Sequence, residues 1–119
     1  MARFKCIYYQ TGGGRLPVKE FIDSLHVRTQ QKYFEMVRLL EECGQRLPFP
    51  HSDYLGGDIY ELRFVGAEGQ VRILYFFFDQ AKIILTNGFV KKTQRTPRKE
   101  LTLAKERRNV YLQRHIRNL

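Results

Sequence analysis

A guanidinium is costly to strip of water, so an arginine inside an otherwise apolar strand usually has an anion to meet. This chain has two such arginines. Arg63 interrupts the run Ile59-Tyr60-Glu61-Leu62-Arg63-Phe64-Val65, and Arg72 interrupts Val71-Arg72-Ile73-Leu74-Tyr75-Phe76-Phe77-Phe78. A third apolar run, from Lys82 to Val90, carries Asn87 and ends in Lys91-Lys92. Planar donor forks, an amide and two ammonium groups together suit a phosphate or a carboxylate.

Short turns alone separate the three runs, so they read as an antiparallel meander. A turn centred on Ala67-Glu68, or a four-residue loop from Gly66 to Gly69, sets Gly66 opposite Gly69, Val65 opposite Gln70, and Arg63 opposite Arg72. Opposed like charges are unfavourable by about 0.2–1 kcal/mol, which again points to a shared anion. A two-residue turn at Asp79-Gln80 then puts Asn87 across from Arg72, with Phe89 and Lys91 on the same face. A three-residue turn, Asp79 to Ala81, flips the last strand and removes Asn87 from the row. The plainer alternative is rim salt bridges, Arg63 with Glu61 or Asp58 and Arg72 with Glu68 or Asp79.

The elements that position these groups follow from periodicity. Arg3 to Gln10 reads as a first strand, closed by Thr11-Gly12-Gly13-Gly14. Pro17 suits a first helical position, and Val18, Phe21, Ile22 and Leu25 keep to one helical face. Tyr33, Met36, Val37 and Leu40 do the same in a longer helix that stops at Gly44. Gln45 to Gly57, with Pro48, Pro50 and Gly56-Gly57, reads as a loop before the meander. Pro97 to Leu119 reads as a terminal helix whose apolar stripe (Leu101, Ala104, Val110, Leu112) is imperfect. The expected fold is α+β in the order βααβββα, with a helical hairpin and a C-terminal helix packed on an antiparallel sheet.

Residues 1–119 provide enough apolar mass for one small domain and one core. A net charge of +9 implies an acidic partner. The excess is clustered: from Lys91 onward ten basic residues (Lys91, Lys92, Arg95, Arg98, Lys99, Lys105, Arg107, Arg108, Arg114, Arg117) face two acids, Glu100 and Glu106. No run approaches the roughly 18 apolar residues of a membrane helix. Only Cys6 and Cys43 are present, and the first residues lack the charged-then-apolar layout of a signal peptide, so a reduced, cytoplasmic protein is expected. No His and Cys spacing suits a metal. Gly12-Gly13-Gly14 lacks the lysine and hydroxyl of a nucleotide loop, so neither metal nor cofactor is expected.

Tyr60-Glu61-Leu62-Arg63, then Arg72-Ile73-Leu74-Tyr75-Phe76, then Phe89-Val90-Lys91-Lys92-Thr93-Gln94 with Pro97 and Ala104, resemble the RelE/HigB superfamily of toxins from type II toxin-antitoxin systems, in particular the phage-derived HigB-like branch. The order of elements is similar over nearly the whole chain. The resemblance implies a RelE-like fold and a metal-free ribonuclease that cuts mRNA on the ribosome, using the substrate's own 2′-hydroxyl, and that is silenced by a helix-turn-helix antitoxin.

On that resemblance Arg63 and Arg72 meet the scissile phosphate. Lys91 or Lys92 transfers a proton, a role that needs a lowered lysine pKa such as neighbouring cations produce. Asn87, Arg95, Arg98, Lys99, Arg107 and Arg108 are the expected RNA contacts. Some relatives place histidine or a late tyrosine or aspartate at the site, whereas His26, His51 and His115 lie outside the motifs quoted. His51 is within reach in its Pro-rich loop but reads as a solvated side chain. Tyr60 and Tyr111 could stack on a base, although Tyr60 has the parity of Leu62 and Phe64 and so reads as core. Two rivals remain open: a ParE-like inhibitor of DNA gyrase, which shares the fold, and a non-catalytic nucleic-acid-binding module.

Overall fold

The computed structural model describes residues 3–116. Three helices and five strands follow in the order β1 (Lys5–Tyr8), α1 (Pro17–Asp23), α2 (Val27–Cys43), β2 (Ser52–Gly56), β3 (Ile59–Gly66), β4 (Gly69–Phe78), β5 (Lys82–Lys91) and α3 (Arg98–Ile116), with one turn of 3₁₀ helix at Gly44–Arg46. The end of the expected terminal helix, residues 117–119 with Arg117, lies outside the described residues. No helix among the described residues is long and apolar enough to cross a membrane.

The α+β fold and the antiparallel β3-β4-β5 meander are as the sequence predicts, with two additions. The loop assigned to Gln45–Gly57 contains β2, which pairs antiparallel with β3. The sheet, ordered β1-β5-β4-β3-β2, is mixed rather than wholly antiparallel, because β1 lies parallel to β5 at its edge. A parallel neighbour needs a crossover, and the helical hairpin α1-α2 followed by the meander supplies the intervening chain.

Alternation divides the sheet's two faces. Leu62, Phe64, Val71, Ile73, Tyr75, Ile83 and Leu85 pack under the hairpin against Val18, Ile22, Tyr33, Met36 and Leu40. Ile59, Leu74, Phe76 and Ile84 point the other way and pack against Ala104 and Tyr111 of α3. The helix starts follow local chemistry. Pro17 opens α1, and the His26 ring nitrogen accepts from Arg28 N at 3.0 Å to cap α2. Glu68, in the β3-β4 turn, accepts from His26 N and Thr29 Oγ1, both at 2.6 Å, and so ties that turn to the start of α2.

Gly44 ends α2 with a φ of 56°, where a Cβ would lie 2.1 Å from the Phe4 ring. Gly44→Ala is therefore expected to lower stability by roughly 1–3 kcal/mol through combined strain and overpacking, measured by denaturant unfolding.

Candidate active site

Arg63 pairs directly with Arg72, Val65 with Gln70 and Gly66 with Gly69. The β4-β5 register differs from the expected one. Phe78 pairs with Lys82, leaving the three-residue turn Asp79–Ala81, and a bulge lies beyond the Tyr75–Leu85 pair. The turn flips the parity of β5 and the bulge at Thr86 restores it. Asn87 thus stays on the arginine face but sits across from Leu74, while Phe89 takes the place opposite Arg72. Three cross-sheet rows result: Val65, Gln70 and Lys91; Arg63, Arg72 and Phe89; Glu61, Leu74 and Asn87.

Helix α3 covers only part of this face, where Leu74, Phe76, Ile84 and Ala104 form the core, and the rows bearing Arg63 and Lys91 stay open. Of the plainer alternative, the approach of Arg63 to Glu61 is present, whereas Arg72 pairs with neither Glu68 nor Asp79 among the described residues. Glu68 is engaged at α2, and Asp58, a candidate partner for Arg63, instead meets Arg108 Nη2 at 3.1 Å. Both arginines share Glu61, a buried carboxylate whose Oε1 lies 3.5 Å from Arg72 Nε and 3.9 Å from Arg63 Nε. Thr96 Oγ1 donates to Glu61 Oε2, fastening the segment between β5 and α3 over the site.

The two arginines are not equivalent. Arg72 is 3% exposed, and its Nη1 donates to Val71 O at 2.9 Å and its Nη2 to Gln70 Oε1 at 2.7 Å. Its Nε has no hydrogen-bond acceptor among the described residues. Burial lowers its pKa from the usual guanidinium value; Glu61 opposes that shift and Arg63 adds to it. Arg63 is more open, with 23% of its side chain exposed, and its guanidinium carbon stands 5.0 Å from the centre of the Phe49 ring.

Arg63 also joins three adjoining depressions. One, of about 230 Å³, is lined by Pro50, His51, Arg63, Val65, Gln70 and Arg72 among others. A second, of about 360 Å³, includes Glu61, Lys91, Gln94, Arg95 and Thr96. The third, of about 580 Å³, includes Gln70, Lys91, Lys92, Thr93 and Gln94. Together they form a cationic groove suited to an extended phosphodiester.

Lys91, Lys92 and Arg95 thus come together with Arg63, whereas the other expected contacts are placed elsewhere. Asn87 Nδ2 donates to Glu100 O at 3.2 Å and Glu100 Oε1 at 3.0 Å, anchoring the first turn of α3. Arg98 and Lys99 line a separate depression on α3 with Thr102 and Glu106. Arg107 Nη1 donates at 2.8 Å to Thr86 O, the residue that the bulge leaves out of register, and Arg108 is paired with Asp58. Tyr60 packs with Tyr54, Tyr75 and Phe77, and Tyr111 with Phe76, Phe78 and His115, so both rings belong to the core. The sequence reading missed Glu61 as a counter-ion shared by both arginines, Gln70 as an acceptor for Arg72, Thr96 as the donor to Glu61, and Phe49 beside Arg63; it set His51 aside. The signal was present in part: Glu61 lies two residues before Arg63 and so shares its face.

No curated protein matches the chain. The model of the phage-derived Gp49-like protein family (DUF891) matches residues 20–109, a stretch that contains Glu61, Arg63, Arg72, Lys91, Lys92 and Thr96. With most of its length and the whole groove inside that match, the chain belongs to the phage-derived Gp49-like family.

Proposed function

We propose that this protein is the toxin of a toxin-antitoxin pair, a RelE/HigB-like endoribonuclease that cuts mRNA held on the ribosome. The observation that carries the reading is the open groove in which Arg63, its buried partner Arg72 and Lys91 share one sheet face. Membership of a phage-derived family is compatible with it.

In the reaction the 2′-oxygen of the message bonds to the neighbouring phosphorus and the P–O5′ bond breaks. A 2′,3′-cyclic phosphate and a 5′-hydroxyl remain. One proton must leave the 2′-hydroxyl and one must reach O5′, while charge on the phosphorane is neutralised. Arg63 presents its fork to the scissile phosphate. Arg72, fixed beneath it, adds positive charge in a poorly solvated setting, where charge acts more strongly than in water. Lys91, on the arginine face, transfers a proton, and the exposed Lys92 holds an adjacent phosphate. These roles use protein side chains and no cofactor. The ribosome places the activity in the cytoplasm, and a helix-turn-helix antitoxin is the silencing partner.

Expression of the chain alone should arrest growth and fragment translated messages; growth with intact messages would overturn the reading. The lysines should separate in single-turnover assays. Lys91→Met is expected to slow cleavage by about 10²-fold or more. Lys92→Met is expected mainly to weaken RNA binding and to reduce the salt slope by about one. The opposite pattern would exchange their roles.

A further inference from the structure

Phe49 carries an aromatic ring that the folded core does not use: it is 67% exposed. It is nevertheless held in place. His51 N and Ser52 N both donate to Pro48 O, at 3.0 and 3.1 Å, and Arg63 N donates to His51 O at 2.9 Å. Ser52 Oγ and Tyr75 Oη are 2.6 Å apart, which secures the end of the turn to the sheet. The Arg63 guanidinium carbon stands 5.0 Å from the ring centroid, so the ring meets a cation that itself lines the groove and is otherwise largely exposed. Val65, 68% exposed, lines the same cleft as Pro50, His51 and Arg63.

We infer that Phe49 is the stacking platform of a nucleobase subsite, on which an unpaired RNA base lies when the adjoining phosphate is held by Arg63. The inference rests on the proposed function and extends it from backbone to base. A flat ring beside a phosphate-binding cation offers what single-stranded RNA presents, a π face next to a charge. An acidic peptide would use the cations and leave the ring without a stacking partner. Stacking accepts every base, so the subsite adds affinity with little sequence preference.

The test uses the full chain at low salt and a labelled pentanucleotide whose 2′-O-methyl groups prevent attack, alongside the same strand with abasic sugars. Phe49→Ala is expected to weaken the base-bearing strand by about tenfold and to leave the abasic strand unchanged. Phe49→Trp, in a chain with no other tryptophan, should show fluorescence quenched by the base-bearing strand and not by the abasic one. Unchanged affinity in Phe49→Ala, or an unquenched indole at saturation, would overturn the subsite alone. Failure of the wild-type chain to bind either strand would also overturn the subsite, whereas the proposed function falls only if expression of the chain leaves growth and messages intact.

Discussion

Arg63→Ala is expected to abolish growth arrest and to lower message cleavage by at least about 10²-fold, the scale on which a single preorganised donor to transition-state charge acts. The chain should remain folded, because the Arg63 side chain lies at the groove surface, 3.9 Å from Glu61, and makes no side-chain hydrogen bond among the described residues. Arg72→Ala should also be inactive, but for two reasons at once. It removes charge beneath the phosphate and leaves Glu61 buried without its nearer cation. Arg72→Lys separates them: the charge is kept, while the paired donation to Val71 O and Gln70 Oε1 is lost. Cleavage measured beside circular dichroism checks both variants. A folded, fully toxic Arg63→Ala would remove Arg63 from the site.

The largest stability loss is expected at Glu61. Glu61→Ala leaves Arg72 buried and uncompensated, and breaking such a pair costs about 3–5 kcal/mol. It also frees Thr96, so the segment between β5 and α3 should exchange amide hydrogens faster. Replacing both partners by apolar residues, Glu61→Leu with Arg72→Met, should recover much of the stability because no buried charge is then left alone. Activity should not return. Denaturant unfolding of Glu61→Leu, Arg72→Met and the double gives the coupling directly. Additive losses would show that the two side chains act independently.

The facing arginines were legible because two glycines flank a short turn and fix the register between them, and strand alternation does the rest. The hairpin helices were legible from apolar spacing, and the stop at Gly44 from its conformational freedom. Other features depend on contacts that no local pattern carries. Strand β2 is five residues long, lies among prolines and glycines, and forms because β3 offers it an edge. The bulge at Thr86 moves Asn87 one row along, and its stray carbonyl is satisfied by Arg107, a residue 21 positions later. Charge clustering likewise gathered ten basic residues into one group, while packing divides them. Lys91, Lys92 and Arg95 line the groove, whereas Arg107 and Arg108 hold α3 to the sheet. In helix α3 only Ala104 and Tyr111 are buried, which explains its faint stripe in sequence.

The chemistry of the cut ends tests the central claim most directly. After expression of the chain without a partner, translated messages should carry 5′-hydroxyl and 2′,3′-cyclic phosphate termini at new internal positions, absent in cells expressing Arg63→Ala. Growth arrest with messages intact, or ends carrying a 5′-phosphate, would contradict the account.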